Sequence, residues 1–351
     1  MKTYASTFIS GLQDLVPAML VTAVPDAKVQ RLLDGLVLYR TTAAAAELAR
    51  LRFANNSFEV LRSFDRLGHR PIKTMASRVA QDKRLRSAIH HSLTSAEGGK
   101  AFRLIASDEN HFIAMDERLR QTVEAQISGV KGLRLNRAKP DLEFWLLHRR
   151  EGFGLFMKRL MSHNTYSDVL EKGELRPELA YALTFLSEPA PDDIFLDPFS
   201  GSGAIPFERD RAFPYNMIFA ADKDPDQVHA IRQRLKSIKT RDTFIAKRQD
   251  ALDMVGFRDG FIHKIVTDPP WGYYQKMEMD IKRFYEQMLR EFTRVLSPEG
   301  LMVILTAQKD ITATAIAAMR PALALVASYD ILVSGKKAAI YKLKTKHNSR
   351  R

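Results

Sequence analysis

The apolar positions of this chain change rhythm near Pro177. Before it, short apolar runs are interleaved with polar residues in no fixed order. Residues 2–9 suit a strand, Gly11 a turn and residues 12–21 a helix. Asp34-Gly35 reads as another turn, followed by a strand over 36–39. Further on, 101–106 reads as a strand and 116–128 as a helix, and 142–147 and 154–157 read as two strands about a turn at 150–152. Residues 162–176 are polar and irregular, the pattern of a linker. After Pro177, short apolar runs alternate with helical periodicity. Strands at 194–197, 217–222, 244–247, 264–268 and 301–306 are separated by helices at 203–212, 226–238 and 280–296. That alternation predicts an α/β domain, its parallel sheet covered on both faces. Residues 324–332 and 337–343 close it as an antiparallel pair, and 344–351 form a basic tail.

A length of 351 residues allows two or three domains. The absence of cysteine excludes disulfide scaffolds, thiolate metal sites and cysteine nucleophiles. No run of 18 apolar residues exists, and Gln13 and Asp14 interrupt any signal-peptide core, so a cytoplasmic protein is expected. The 54 Lys and Arg exceed the 41 Asp and Glu by 13, which points to a polyanionic partner without naming a site. The excess is uneven: residues 1–178 carry 28 basic and 20 acidic side chains, a net of +8. Eight cations (Arg62, Arg66, Arg70, Lys73, Arg78, Lys83, Arg84, Arg86) stand against Asp65 and Asp82 alone.

Three stretches carry chemistry. Asp197-Pro198-Phe199-Ser200-Gly201-Ser202-Gly203 joins a buried strand to a helix start, and its glycines let a ligand approach the backbone. No Gly-Lys-Ser/Thr follows, which rules out a phosphate loop, and Pro206 stands where a dinucleotide fold wants its third glycine. A lone pair of glycines is as often a plain tight turn. Asp222 ends the next strand, 21 residues after Gly201, with Lys223 beside it, where an acid can grip two ribose hydroxyls. Asp250-Ala251 follows the third strand, where the acid could accept a bond from an adenine amino group. Each acid alone reads as a loop acid or helix cap, but at successive strand ends they share one crevice. Asp268-Pro269-Pro270-Trp271-Gly272 then ends the fourth strand. Two prolines remove two amide donors, leaving carbonyls and a carboxylate to receive the hydrogens of an exocyclic amine, with Trp271 as a stacking face.

In this order the motifs resemble those of class I S-adenosylmethionine-dependent amino methyltransferases, and more closely the THUMP-domain RNA guanine-N2 methyltransferases. That family includes tRNA acceptor-stem enzymes and related 23S rRNA enzymes. The resemblance covers nearly the whole chain: Tyr4 to Asp14, with Gly11-Leu12, is similar to the family's ferredoxin-like start, and Gly173-Glu174-Leu175-Arg176-Pro177-Glu178-Leu179-Ala180 to its lead-in to the catalytic domain. It implies a ferredoxin-like domain over 1–61, a THUMP-like RNA-binding domain over 62–165, a linker over 166–178 and a Rossmann-fold methyltransferase domain with a mostly parallel seven-stranded sheet over 179–351. This sequence has Ser200-Gly201-Ser202-Gly203-Ala204 where relatives often have Cys-Gly-Ser-Gly-Thr, and Trp271 where they usually have Tyr or Phe. The implied cofactor is S-adenosyl-L-methionine, held by residues 197–203, Asp222, Lys223, Asp250, Ala251 and Asp268. Asp268, Pro269, Pro270 and Trp271 would carry the chemistry.

The implied reaction is methyl transfer to the N2 amine of a guanosine in tRNA, by a monomer and without a metal. Asp268 and the Pro269 carbonyl would take the amine hydrogens and Trp271 would stack on a flipped base. Arg78, Lys83, Arg84, Arg86, Arg134, Arg137, Lys158 and Arg159 would meet RNA phosphates, although any one of them could equally be a solvated surface charge. Trp145, in an apolar run, reads as core. A 23S rRNA substrate is the main rival, disfavoured by Asp268 where those enzymes often carry Asn. Adenine-N6 methylation uses the same turn. A non-catalytic RNA-binding protein would fail to bind the cofactor, and a hydride-transfer enzyme has no need of the Pro-Pro turn.

Overall fold

The computed structural model describes residues 1–93, 100–109, 111–160, 175–238, 242–272, 279–333 and 335–346. Most of the expected linker, with His163, Gly173 and Glu174, lies outside the described residues, as does 347–351. The chain forms two compact units, one of residues 1–8 with 20–163, the other of residues 9–19 with 164–351.

The N-terminal unit runs β1 (Lys2–Thr7), α1 (Val16–Ala23, whose first turn belongs with the other unit), β2 (Lys28–Leu33), β3 (Leu36–Thr41), α2 (Ala45–Leu48), β4 (Asn56–Asp65), α3 (Pro71–Gln81) and α4 (Leu85–Ser92). It continues with β5 (Lys100–Asp108), β6 (His111–Phe112), α5 (Glu117–Ser128), β7 (Leu133–Leu135), β8 (Leu142–Arg149) and β9 (Phe153–Arg159). Its nine strands make one sheet in the order β2-β3-β1-β4-β9-β8-β5-β6, with β7 also on β5. One sheet face, carrying Phe102, Phe144 and Phe156, packs under the apolar sides of α3 to α5 through Met75, Val79, Leu85, Ile89, Val123 and Ile127. Strand β4 runs straight through residue 61, where the sequence reading divides two domains, so both stretches share one sheet. The elements β2, α2, β4, α3, α4, β6 and β7 were not foreseen; β2 is largely polar because it is an exposed edge, and α3 begins on Pro71, which is tolerated in a first turn.

The helix expected over 12–21 starts later, at Val16, because residues 10–15 are mostly turns. This early segment packs with the C-terminal unit. Gly11, at φ +92°, lies so close to that unit's last strands that a Cβ would stand 2.0 Å from the Asp330 carbonyl. Only glycine fits there.

The C-terminal unit continues with α6 (Pro177–Leu186), β10 (Ile194–Asp197), α7 (Ala204–Ala212), β11 (Met217–Asp222), α8 (Pro225–Ile238), β12 (Phe244–Arg248), β13 (Ile262–Thr267) and α9 (Ile281–Val295). The remaining elements are β14 (Leu296–Thr306), α10 (Lys309–Ala318), β15 (Leu323–Val333) and β16 (Lys336–Thr345). The sheet order is β12-β11-β10-β13-β14-β16-β15. The first five strands are parallel, while β16 pairs antiparallel with both β14 and β15, so the sheet is mixed. The expected basic tail begins later than 344, since Lys344 and Thr345 are paired in β16. Helix α9 is capped by Asp280, which accepts from the Lys282 and Arg283 amides. Its Phe284, Tyr285, Met288, Leu289 and Phe292 recur at helical spacing and enter the core against the sheet. That packing aims Tyr285 at the carboxyl end of the strands.

Candidate active site

The chain order of β10 to β13 reverses in space at β10, with β11 on one side and β13 on the other. Ligands of open parallel sheets bind at such a reversal, outside the carboxyl ends of the strands. Asp197 is the last residue of β10 and Asp222 the last of β11, Asp250 lies two residues beyond β12, and Asp268 is the first residue after β13.

The glycine turn is built tightly. The Ser200 amide donates to the Ala221 carbonyl at 3.0 Å, tying the turn to β11, and the Gly203 amide donates to the Ser200 carbonyl at 2.7 Å. Gly201 and Gly203 have φ of +47° and +87°, the left-handed region that favours glycine. A Cβ on Gly201 would meet nothing within 4 Å, so space for a ligand stands open over the turn. A Cβ on Gly203 would meet the Phe207 ring at 2.8 Å. Pro198 and Ser200 are buried, and Phe199 packs on Phe284 with centroids 5.7 Å apart.

Asp197 is 1 % exposed and ties the turn to β13: its Oδ1 accepts from Thr267 Oγ1 at 2.7 Å and from the Phe199 amide at 3.2 Å. Burial pushes its carboxyl up to about 8, against the Thr267 bond and with help from the negative charges of Asp222 and Asp268. Asp222 accepts the Gly201 amide on Oδ2 at 2.9 Å and the Asp224 amide on Oδ1 at 3.0 Å. A carboxylate offers about four acceptor sites, so Asp222 keeps one on each oxygen for a diol. Asp250 is exposed and accepts the Leu252 amide at 2.8 Å, whereas Ala251 is a core residue and Lys223 is exposed.

Asp268 is partly buried, and its Oδ1 accepts the Trp271 indole N–H at 2.8 Å. Burial raises its carboxyl to about 7, opposed by that bond. The turn is held from behind by residues the sequence reading did not single out. The Tyr285 hydroxyl donates to the Pro270 carbonyl at 3.3 Å, and Gln308 Nε2 donates to the Trp271 carbonyl at 2.5 Å. Thr267 was legible as a hydroxyl inside the apolar run Ile265-Val266, and Thr306 and Gln308 as polar residues where the neighbouring strand ends.

The predicted RNA-facing cations fare differently. Lys83, Arg84 and Arg134 are exposed. Arg78 is exposed but donates to the Asp65 carbonyl at 3.0 Å, and Arg86 donates to Gln126 at 3.1 Å. Arg137 is paired with Glu124 at 2.6 Å, and Arg159 with Glu143 at 2.8 Å. Lys158 is withdrawn from the set: it is fully buried and its Nζ donates to the Ser92 carbonyl at 2.5 Å, because β9 turns it toward the helices. Trp145 is partly buried against Phe58 and Phe112. Folding also brings Asp108, Glu109 and His148 together, a grouping invisible in sequence spacing, where His148 Nδ1 lies 2.6 Å from Asp108 Oδ1.

A glycine turn and three strand-end carboxylates facing a Pro-Pro-aromatic turn, on a Rossmann-like sheet closed by an antiparallel pair, define a methyltransferase fold. Residues 164–334 match the family described as UPF0020, RMKL-like, methyltransferase domain. The chain is 31% identical over 180 residues to the human tRNA (guanine(6)-N(2))-methyltransferase THUMP3, a match covering 48% of this chain and 36% of that protein. The chain thus spans about a third of the length of this relative. It is 25% identical over 225 residues to the tRNA (guanine(6)-N2)-methyltransferase of Thermus thermophilus, covering 63% of this chain and 66% of that protein. The crystal structure of TrmN from Thermus thermophilus superimposes with a TM-score of 0.78 at 20% identity, covering 99% of this chain and all of that one. SMU.472, a putative methyltransferase complexed with SAH, superimposes at 0.70 and 14% identity, covering 97% of each chain. These structures share the fold.

Proposed function

We propose that this protein transfers a methyl group from S-adenosyl-L-methionine to the N2 amine of a guanosine in RNA, and that the RNA is tRNA. The observation that carries the reading is the Asp268-Pro269-Pro270-Trp271 turn standing in one crevice with the Gly201–Gly203 turn and Asp222. The residues fit the cofactor: open space over Gly201 admits its amino-acid end, Asp222 has acceptor capacity for its ribose diol, and Asp250 lies at the adjoining strand end for its adenine. The cofactor supplies an electrophilic methyl carbon on a positively charged sulfur.

The protein supplies alignment. The guanine amine is a poor nucleophile because its lone pair is delocalised into the ring. Asp268 and the Pro269 carbonyl accept its two hydrogens and localise that pair toward the methyl carbon. The bound cofactor would supply the methyl carbon and its sulfur would keep the C–S bonding pair, which would leave the amine nitrogen positively charged beside Asp268. Asp268 takes the surplus proton and releases it to solvent. A carboxyl held near neutrality by burial suits both states. Trp271 stacks on the base, whose exit from its helix costs a few kcal/mol.

Guanine N2 in tRNA is favoured because relatives named for that activity match both at the crevice half and, in Thermus thermophilus, over a longer stretch. Exposed Lys83, Arg84 and Arg134, with Arg78 and Arg86, are assigned to phosphate contact. Nucleoside mass spectrometry of separated tRNA and rRNA, from cells with and without the protein, tests the reading. Loss of N2-methylguanosine from tRNA is expected; loss from rRNA alone, or of N6-methyladenosine, would overturn the substrate.

A further inference from the structure

We propose that Gln308 is a positioning residue of this site: its side-chain amide holds Trp271, and the Trp271 indole in turn holds the Asp268 carboxylate. The kinetic part of this inference rests on the methyltransferase reading above; the geometric part does not.

The turn after β13 needs outside donors. Pro269 and Pro270 bring no N–H, so the backbone there offers only carbonyls. Gln308 Nε2 donates to the Trp271 carbonyl at 2.5 Å, and the Tyr285 hydroxyl donates to the Pro270 carbonyl at 3.3 Å. The two donors are linked through Thr306. The Gln308 backbone amide donates to Thr306 Oγ1 at 2.9 Å, and Thr306 Oγ1 lies 2.6 Å from the Tyr285 hydroxyl. With the Thr306 proton given to Tyr285 and the Tyr285 proton to Pro270, each hydroxyl donates once and the chain is satisfied from end to end. It runs from the end of β14 and from α9 onto two consecutive carbonyls of the turn. The backbone of residue 271 is thereby fixed, and with it the indole.

The indole has one N–H, and Asp268 Oδ1 receives it at 2.8 Å. That bond fixes the carboxylate and commits Oδ1, which leaves Oδ2 as the oxygen the mechanism assigns to the amine. A phenylalanine at 271 could stack on a base but could not hold the acid. Among the described residues Asp268 has no ion pair, and burial and the indole bond are what act on its carboxyl, so no cation replaces the indole as its orienting partner. A residue that merely braced the fold would change stability and leave the titration of Asp268 where it was.

The test uses the full chain with Trp145→Phe, so that Trp271 is the only tryptophan and is excited selectively at the red edge of the absorption band. Its fluorescence should titrate with Asp268, and the titration should vanish in Asp268→Asn. In Gln308→Met, which keeps the side chain's length and removes its donors, the midpoint should rise by up to about 1 pH unit as Asp268 loses an ordered donor. For methyl transfer, kcat should fall about tenfold with the KM for RNA and cofactor within about twofold. Trp271→Phe should move the acid limb of kcat upward in the same way. A Gln308→Met protein with the parent's midpoint and kcat overturns the proposal. If the parent transfers no methyl group to any guanosine, the functional reading fails, and the emission titration still decides the role of Gln308.

Discussion

The crevice of the C-terminal unit and the sheet of the N-terminal unit handle carboxylates in opposite ways, although away from the crevice the C-terminal unit also pairs acids with cations, as in Glu291 with Arg294 and Glu188 with Lys342. In the C-terminal unit, Asp197 and Asp268 are raised by burial, and among the described residues their side chains meet only neutral hydrogen-bond donors. In the N-terminal unit, burial also works against the ionisation of Glu143. There the bonds from Arg159, Trp145 and Arg103 outweigh it and hold the carboxyl below its ordinary value. The same balance holds for Asp82 with Arg62. The first arrangement stores reactivity at a cost to stability, and the second stabilises a sheet and uses up cations. Net charge counted along the chain therefore overstates what the N-terminal unit can offer a polyanion and says nothing of where the acids of the other unit become reactive.

The sharpest way to break this comparison is to remove the acid that is argued to work. Asp268→Ala should keep cofactor affinity and lose methyl transfer by about 10³-fold, measured in single turnover. Near-normal turnover would make Asp268 another structural carboxylate. Next in size is the pH dependence of each unit's stability. The folded values of Asp197 and Asp268 lie above their unfolded ones, so the folded unit holds protons that the unfolded chain has released. Its stability should fall as pH rises from about 4 toward about 8. Glu143 and Asp82 lie below theirs, so their contribution is present above the unfolded value and lost as pH falls through the folded one. Urea unfolding of Trp145→Phe and Trp271→Phe proteins gives each unit its own emitter, and parallel slopes would erase the contrast.

The site was legible in the sequence because its parts are local. Asp197 to Gly203, Asp222 and Asp268 to Trp271 each sit at a strand end that apolar runs mark, and parallel-sheet topology brings strand ends together. What was not legible depends on register and packing. Gln308 meets Trp271 only because β14 lies beside β13, with Val266 opposite Val303. Lys158 looked available because it sits beside the expected linker, yet on β9 the side chains alternate, and the face it shares is the one that packs under α4. The nine-stranded sheet was read as two domains because what joins its halves is β4, which crosses residue 61 and pairs with β1 on one side and with the sequence-distant β9 on the other, a pairing no local pattern marks.

A third prediction bears on what arginine pairing contributes. Glu143 joins Arg103 and Arg159 of the two neighbouring strands, and Trp145 of its own, through hydrogen bonds. Glu143→Ala should lower the unfolding free energy of the N-terminal unit by about 1–3 kcal/mol at neutral pH, since it strips the acceptor from three donors at once. The loss should shrink at a pH where Glu143 is protonated in the parent. An unchanged midpoint in urea would mean that these arginines are solvated in practice and remain open to RNA.

The smallest effect separates the cations that pairing consumes from those it leaves. Arg134 is exposed on β7, whereas Lys158 is buried and donates to the Ser92 carbonyl. If Arg134 meets a phosphate, Arg134→Ala should weaken RNA binding a few-fold and reduce the slope of log affinity against log salt by about 1. Lys158→Met removes the same formal charge from the same unit and should leave that slope unchanged while costing stability, because it leaves a buried carbonyl without its donor. Equal salt slopes for the two variants would show that RNA responds to the overall charge of the unit. Unequal slopes would show that the fold decides which charges count, since counterion release depends on where a cation stands as well as on its presence in the sequence.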